Sequence, residues 1–339
     1  MKILVTGAGG FIAGYLIEEL LREGYEVVGL DNLSKYGPVR RRFSDHPRYK
    51  FVLGDAKDAA LVEELLRDCD HFVAGAAVIG GIALFHELAY DLLAENERIT
   101  ASAFDAAIRA HREQKLQKIT LISSSMVFES TNVYPTPEGE ERRSPPPQST
   151  YGFQKLATEY FAQGANEQYG LPYTIVRPFN CIGIGESRAA TESIVMSGNV
   201  RLAMSHVVPD LVQKVLKGQD PLHILGSGDQ VRHYTYGGDL ARGIRLAIES
   251  PDARNEDFNL SSTQSMTVLE LAELIWKKIR PRDPFRYISD KPFRYDVQRR
   301  IPNTDKAKRI LKFEATTSVS EALDEIVPWI REQVAVGAI

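Results

Sequence analysis

Two hydrophobic patterns alternate through the first 180 residues. Short apolar runs at 2–6, 26–30, 50–55, 71–76, 118–124 and 172–179 read as strands. Between them, residues 11–24, 59–68, 82–111 and 150–170 place apolar side chains at helical spacing. Strands that alternate with helices predict right-handed crossovers and a parallel sheet covered on both faces. That is a doubly wound α/β architecture, with a nucleotide as its usual ligand.

Beyond about residue 180 the regularity fades. Segments rich in Gly and Pro separate helical stretches at 205–217, 238–249, 267–279 and 318–334. This predicts a first domain over 1–179, to which a later segment at about 225–260 returns, and a smaller, mainly helical substrate lobe over 180–339. Residues 134–150 are polar and proline-rich, which excludes a regular element. Residues 186–204 are polar and small, the composition of a mobile lid over a pocket.

Composition narrows the classes of function. A formal charge of −4 provides no positive field to recruit nucleic acid or an anionic membrane. The longest apolar run, 72–85, is too short to span a bilayer and is broken by glycines. Cys69 and Cys181 lie far apart and form neither a disulfide nor a metal pattern. With no signal peptide at the N-terminus, a cytoplasmic protein is expected. The histidines lack metal-ligand spacing, so no metal is expected.

Candidate chemistry begins at "VTGAGGFIAGYL", which follows the first strand and opens the first helix. Gly7 and Gly10 are spaced for a backbone that approaches a pyrophosphate, beside the free N–H groups of a helix start. Asp31 closes the second strand, where a carboxylate accepts from an adenosine ribose and repels a 2′-phosphate. The cofactor expected is therefore NAD. Arg40, Arg41 and Arg42 follow soon after, a run that reads as a solvated surface. Further on, "YGFQK" sets Tyr151 and Lys155 four apart on one face of a predicted helix. A phenol is a poor base at neutral pH unless nearby positive charge favours the phenolate.

With "ISSSMVF", "GDAKD", "RPFNCIGIGE", "GSGDQVRHYTYGGDLARGI" and "RRIPNTDKAKRIL" added, the chain resembles the extended short-chain dehydrogenase/reductase family over nearly its whole length. Within that family it is similar to the NAD-dependent nucleotide-sugar epimerases and dehydratases, UDP-glucose 4-epimerase among them. The resemblance implies a Rossmann-type fold and a homodimer. It implies Tyr151 as acid/base, Lys155 as its tuning partner and ribose holder, and Ser124 as the assisting hydroxyl. Phe11, Ile12, Asn32, Asp55, Ala74 and Pro178 are implied to join Gly7, Gly10, Asp31 and Lys155 around NAD. Ser125, Met126, Asn180, Val208, Arg232 and Arg300 are implied to hold the nucleotide sugar, the two arginines as a diphosphate or nucleoside clamp.

Positions 125 and 126 separate the family's reactions. Its 4,6-dehydratases carry Asp and Glu there, its decarboxylating members Glu at the second, its 3,5-epimerising members Cys. Met126 has no titratable proton. The expectation is epimerisation at C4 through a transient 4-keto sugar. A dehydratase or reductase with atypical acid/base residues is the alternative, and a non-catalytic NAD-binding protein a more distant one.

Overall fold

The computed structural model describes residues 1–79, 88–113, 115–186, 196–197, 200–201, 206–291 and 297–339. Its main sheet has seven parallel strands. They are β1 Lys2–Thr6, β2 Glu26–Asp31, β3 Tyr49–Leu53, β4 His71–Ala74, β5 Lys118–Ile122, β6 Tyr173–Pro178 and an edge strand, Glu256–Leu260. Across the sheet the order is edge strand, β6, β5, β4, β1, β2, β3. Strand order reverses between β1 and β4, and such a switch point opens a crevice at the carboxyl ends of the strands.

Alternation along β1 explains why both faces are covered. Ile3 and Val5 point to one side, where they pack with Leu16, Ile17 and Leu20 of α1 (Phe11–Arg22) and with Leu240 and Ile244 of a later helix, Gly237–Glu249. Leu4 points to the other side. There it meets Val62 and Leu66 of α2 (Ala59–Leu66), Phe104 of α3 (Ala89–Arg112) and Ala162 of α4 (Thr150–Tyr169). Each fully buried Ile, Leu or Val here contributes roughly 1.5–3 kcal/mol. The α3 helix begins at Ala89, and residues 82–87 of the predicted 82–111 stretch lie outside the described residues. So does most of the 186–204 segment.

A second core gathers Trp276, Leu271 and Ile275 with Leu211, Val212, Leu323 and Ile326. These come from helices Val207–Leu216, Val268–Ile279 and Val319–Ala335. The last two helices start with capping boxes, Thr267 with Glu270 and Ser318 with Glu321. Among the described residues no helix is long and apolar enough to cross a membrane.

Two segments depart from the sequence pattern for the same reason, buried polar side chains that find partners. The edge strand reads EDFNL, yet Asn259 is fully buried. Its Nδ2 donates to the carbonyls of Thr136 (3.1 Å) and Asn303 (3.2 Å). The polar loop 134–150 is anchored at a few buried positions and holds one short turn, Glu140–Arg142. The Thr136 amide donates to the Ile301 carbonyl at 2.7 Å, and Glu140 and Glu141 are buried.

His71 is buried at the start of β4, 2.9 Å from the Thr120 hydroxyl. Burial, with Lys118 nearby, lowers its pKa to about 3. Unfolded, it titrates near 6.5. Its stabilising contribution is therefore complete above 6.5 and is lost as pH falls from there towards 3. Thermal melts should show a His71→Gln variant losing less stability than the wild type between pH 7 and pH 4. Parallel pH profiles would show that His71 is not the titrating group.

Candidate active site

A cavity of about 580 Å³ opens at the carboxyl ends of the strands, beside the β1/β4 switch point. Its floor is the loop from β1 to α1. Gly7 has φ +76°, and a Cβ there would stand 2.9 Å from Ala76 Cα. Only glycine meets both demands. Gly7 and Ala8 donate to the Leu30 carbonyl at 2.9 and 3.2 Å, and Gly10 donates to Gly7 at 2.9 Å. Gly10 caps α1 with no side-chain acceptor, so no side chain competes for the first-turn N–H groups.

Asp31 reaches under this loop from the end of β2. One carboxylate oxygen accepts from the Gly9 amide at 3.0 Å, the other from Leu33 at 2.7 Å. Asn32 and Asp55 stand side by side on the same wall, 3.5 Å apart. Arg41 departs from the expected solvated run. Arg42 is exposed and Arg40 pairs with Asp45 at the surface. The Arg41 guanidinium instead turns inward, within 3.5 Å of the carbonyls of Gly9, Gly10 and Gly185.

The opposite wall carries the hydroxyl chemistry. Ser124 caps a short turn, Ser125–Phe128, and its Oγ accepts from the Met126 amide at 3.2 Å. Ser149 caps α4, which brings Tyr151 and Lys155 to the same wall. Tyr151 shares this wall with Ser124, whose side chain favours the phenolate. Met126 packs against Tyr151 and Leu92, an apolar patch that keeps water from the phenol.

The electrostatics differ from the expectation. Burial raises the Tyr151 pKa, opposed by the Ser124 side chain and the charge of Arg300. Lys155 lies 5.9 Å from the Tyr151 ring centre and donates to the Ile122 carbonyl at 3.0 Å. Burial lowers its own pKa to about 8, against the pull of Glu159. Within the chain it is Arg300, rather than the lysine, that favours the phenolate.

Of the residues expected around a cofactor, Gly7, Gly10, Phe11, Ile12, Asp31, Asn32, Asp55, Lys155 and Pro178 line this cavity, and Gly75–Ala77 continue the wall just past Ala74. Ala74 itself faces a smaller adjoining void. Of those expected around a substrate, Ser125, Met126, Asn180 and Arg300 line it. Asn180 has φ +39°; its Nδ2 donates to the His233 carbonyl at 3.1 Å, and Arg300 donates to its Oδ1 at 3.5 Å. Val208 and Arg232 stand off the wall. Val208 is 1% exposed in the second core. Arg232 turns onto the backbone, donating to the carbonyls of Val231 (3.0 Å) and Gln298 (3.4 Å).

Sequence reasoning missed three positioning residues. Asn96 accepts from the Val78 amide at 2.6 Å and donates to the Val78 carbonyl at 2.9 Å, which clamps the wall at 75–79. The Thr6 hydroxyl accepts from Gly75 and Ala76, both at 3.2 Å. Glu159 accepts from Ser123 and from Arg177 behind the catalytic wall. The available signal was a polar residue at a buried phase, as in Leu92, Asn96 and Thr100 along α3.

Fold and cavity together define a dinucleotide-binding protein of the Rossmann class, with Ser124, Tyr151 and Lys155 grouped on one wall of its groove. The chain matches the model of the NAD dependent epimerase/dehydratase family over residues 3–261 and belongs to that family. It is 26% identical over 290 residues to a UDP-glucose 4-epimerase of Lactobacillus helveticus, 80% of each chain being covered. It superposes with a TM-score of 0.82 on the UDP-glucose 4-epimerase of Thermotoga maritima solved with UDP-glucose, at 27% identity, covering 98% of this chain and 100% of that one. With the dTDP-glucose 4,6-dehydratase DesIV of Streptomyces venezuelae, solved with NAD, the TM-score is 0.83 at 25% identity, over 99% and 98% of the chains.

The cofactor is NAD, and this chain's residues fit it: a glycine loop with no room for a Cβ at Gly7, an α1 start without a side-chain cap, and the Asp31 carboxylate at the end of β2. A Gly7→Ala variant should bind NAD at least about tenfold more weakly in a fluorescence titration, because the added methyl displaces the Gly75–Ala76 wall. Unchanged affinity would mean that the loop does not carry the dinucleotide.

Proposed function

We propose that this chain interconverts a nucleotide-diphosphate sugar and its C4 epimer through a transient 4-keto sugar. The observation that carries the reading is the placing of Ser124, Tyr151 and Lys155 on one cavity wall, next to a methionine where a second acid or base would otherwise stand. NAD supplies a reversible hydride acceptor when bound. Tyr151 takes the proton of the C4 hydroxyl through its phenolic oxygen and returns it at the end of the cycle. Ser124 holds that oxygen and shares the proton. Lys155, fixed to the Ile122 carbonyl, holds the cofactor ribose, and the positive charge of Arg300 favours the deprotonated phenol. Met126, backed by the buried Leu92, keeps the keto sugar dry and offers no proton for the elimination of water. Arg300 and Asn180 hold the diphosphate side, which lets the sugar turn over while the nucleotide stays anchored.

The reading is tested by incubating the protein with UDP-, dTDP- and GDP-hexoses and following the configuration at C4. Tyr151→Phe should lower kcat by roughly 10²–10⁴-fold while NAD affinity stays within about twofold. Stoichiometric NADH, or a 4-keto-6-deoxy product, would favour the reductase or dehydratase instead.

The proposal extends to a cytoplasmic homodimer. Both cysteines are free. Phe153 and Tyr160, seven residues apart on one side of α4, are 48% and 58% exposed, and Tyr90 of neighbouring α3 is 76% exposed. Large aromatic rings grouped on two packed helices fit a second copy. Light scattering should give a dimer for the wild type and a monomer for Phe153→Arg/Tyr160→Arg; a monomeric wild type would end this part of the proposal.

A further inference from the structure

Among the described residues five acidic side chains line the cavity: Asp31, Asp55, Glu95, Glu129 and Glu186. Four are engaged away from the catalytic wall. Asp31 and Asp55 accept from backbone amides at the glycine-loop end. Glu95 pairs with Lys57 and Arg98, both at 2.5 Å, and Glu186 pairs with His206. Glu129 differs in place and in pairing. It directly follows the Ser125–Phe128 turn, and its amide donates to the Met126 carbonyl at 3.1 Å. Its Oε2 accepts from the amide (3.0 Å) and the hydroxyl (2.8 Å) of Ser149, two residues before Tyr151. The carboxylate thus stands between the two elements that present Ser124 and Tyr151. Its Oε1 has no hydrogen bond, and the side chain no ion pair, among the described residues.

We infer that Glu129 sets the class of sugar. Its Oε1 accepts a hydrogen bond from a hydroxyl of a neutral hexosyl group, and its negative charge excludes a hexuronosyl group. The inference rests on the epimerase reading and adds to it the charge of the sugar. The physical ground is the low dielectric of a wall formed by Met126 and Tyr151 and backed by the buried Leu92. Two carboxylates about 6 Å apart on such a wall repel strongly enough to cost tenfold or more in affinity. A hydroxyl placed there instead satisfies an acceptor that would otherwise lose its water on binding.

Glu129→Gln separates charge from structure. The carboxamide oxygen still accepts both Ser149 bonds, so the cap of α4 is kept, while the charge and the second acceptor are lost. The experiment measures kcat/KM for a nucleotide hexose and for the hexuronate carrying the same base, using whichever base the wild type accepts. Melting temperature and NAD titration serve as controls of the fold. The wild type should favour the hexose at least about tenfold, and in the variant the hexose-to-hexuronate ratio should fall about tenfold or more. A wild type that prefers the hexuronate, or a ratio that moves less than twofold, overturns the inference and leaves the epimerase reading intact. A wild type that forms a 4-keto-6-deoxy product, lost in the variant, makes Glu129 an acid/base group and overturns both. Absence of turnover on any nucleotide sugar removes the epimerase reading, and this inference with it.

Discussion

The active site depends on one buried ion pair. Arg177, on β6, is fully buried and grips Glu159 of α4 with two hydrogen bonds, at 2.8 and 2.7 Å. Glu159 also takes the Ser123 hydroxyl of the neighbouring wall at 2.5 Å, and Arg177 reaches Asp257 of the edge strand at 2.6 Å. Four segments are thereby fixed to one another at a single point. Losing one partner from such a pair typically costs 3–5 kcal/mol, because a charge is left unpaired in a low dielectric. One turn from Glu159 stands Lys155, and one turn further Tyr151, so the pair positions both residues without touching a ligand. The carboxylate also supplies the field that opposes the depression of the lysine's pKa.

Opposite this rigid wall the glycine loop is equally constrained. Asp31 accepts two amides, Arg41 braces three carbonyls, and Asn96 and Thr6 hold the chain that Gly7 leans against. Each contact fixes backbone rather than ligand. The groove is thus shaped in advance, and little ordering is left to be done when the dinucleotide enters.

Those parts of the fold whose signal is local were legible in the sequence. Strands β1 to β6 and the four helices between them follow the apolar periodicity, and "TGAGG", Asp31 and "YGFQK" mark the groove and the phenol. What escaped depends on pairing across the chain. Asn259 and Asp257 make the edge strand look polar until Thr136, Asn303 and Arg177 are brought to them. Arg41 resembles its two solvated neighbours, and only the folded loop shows which of the three turns in. A tuning role for Lys155 follows naturally from its spacing to Tyr151, yet its ammonium is turned to a carbonyl of β5, and Arg300, 149 residues beyond Tyr151, takes the electrostatic role. Arg232 and Arg300 both sit in motifs of the family, and nothing local separates the one that lines the cavity from the one that pins a backbone.

The late edge strand also bears on how the chain is made. On the ribosome β6 is complete once Pro178 has emerged, but its neighbour, Glu256–Leu260, comes roughly 80 residues later. At about 5–20 residues per second, a row of unsatisfied amides and carbonyls stays open for several seconds, and Arg177 waits as long for Asp257. The nascent protein thus passes through an interval in which its most adhesive border is bare, and in which chaperone cover or slow neighbouring synthesis would matter most.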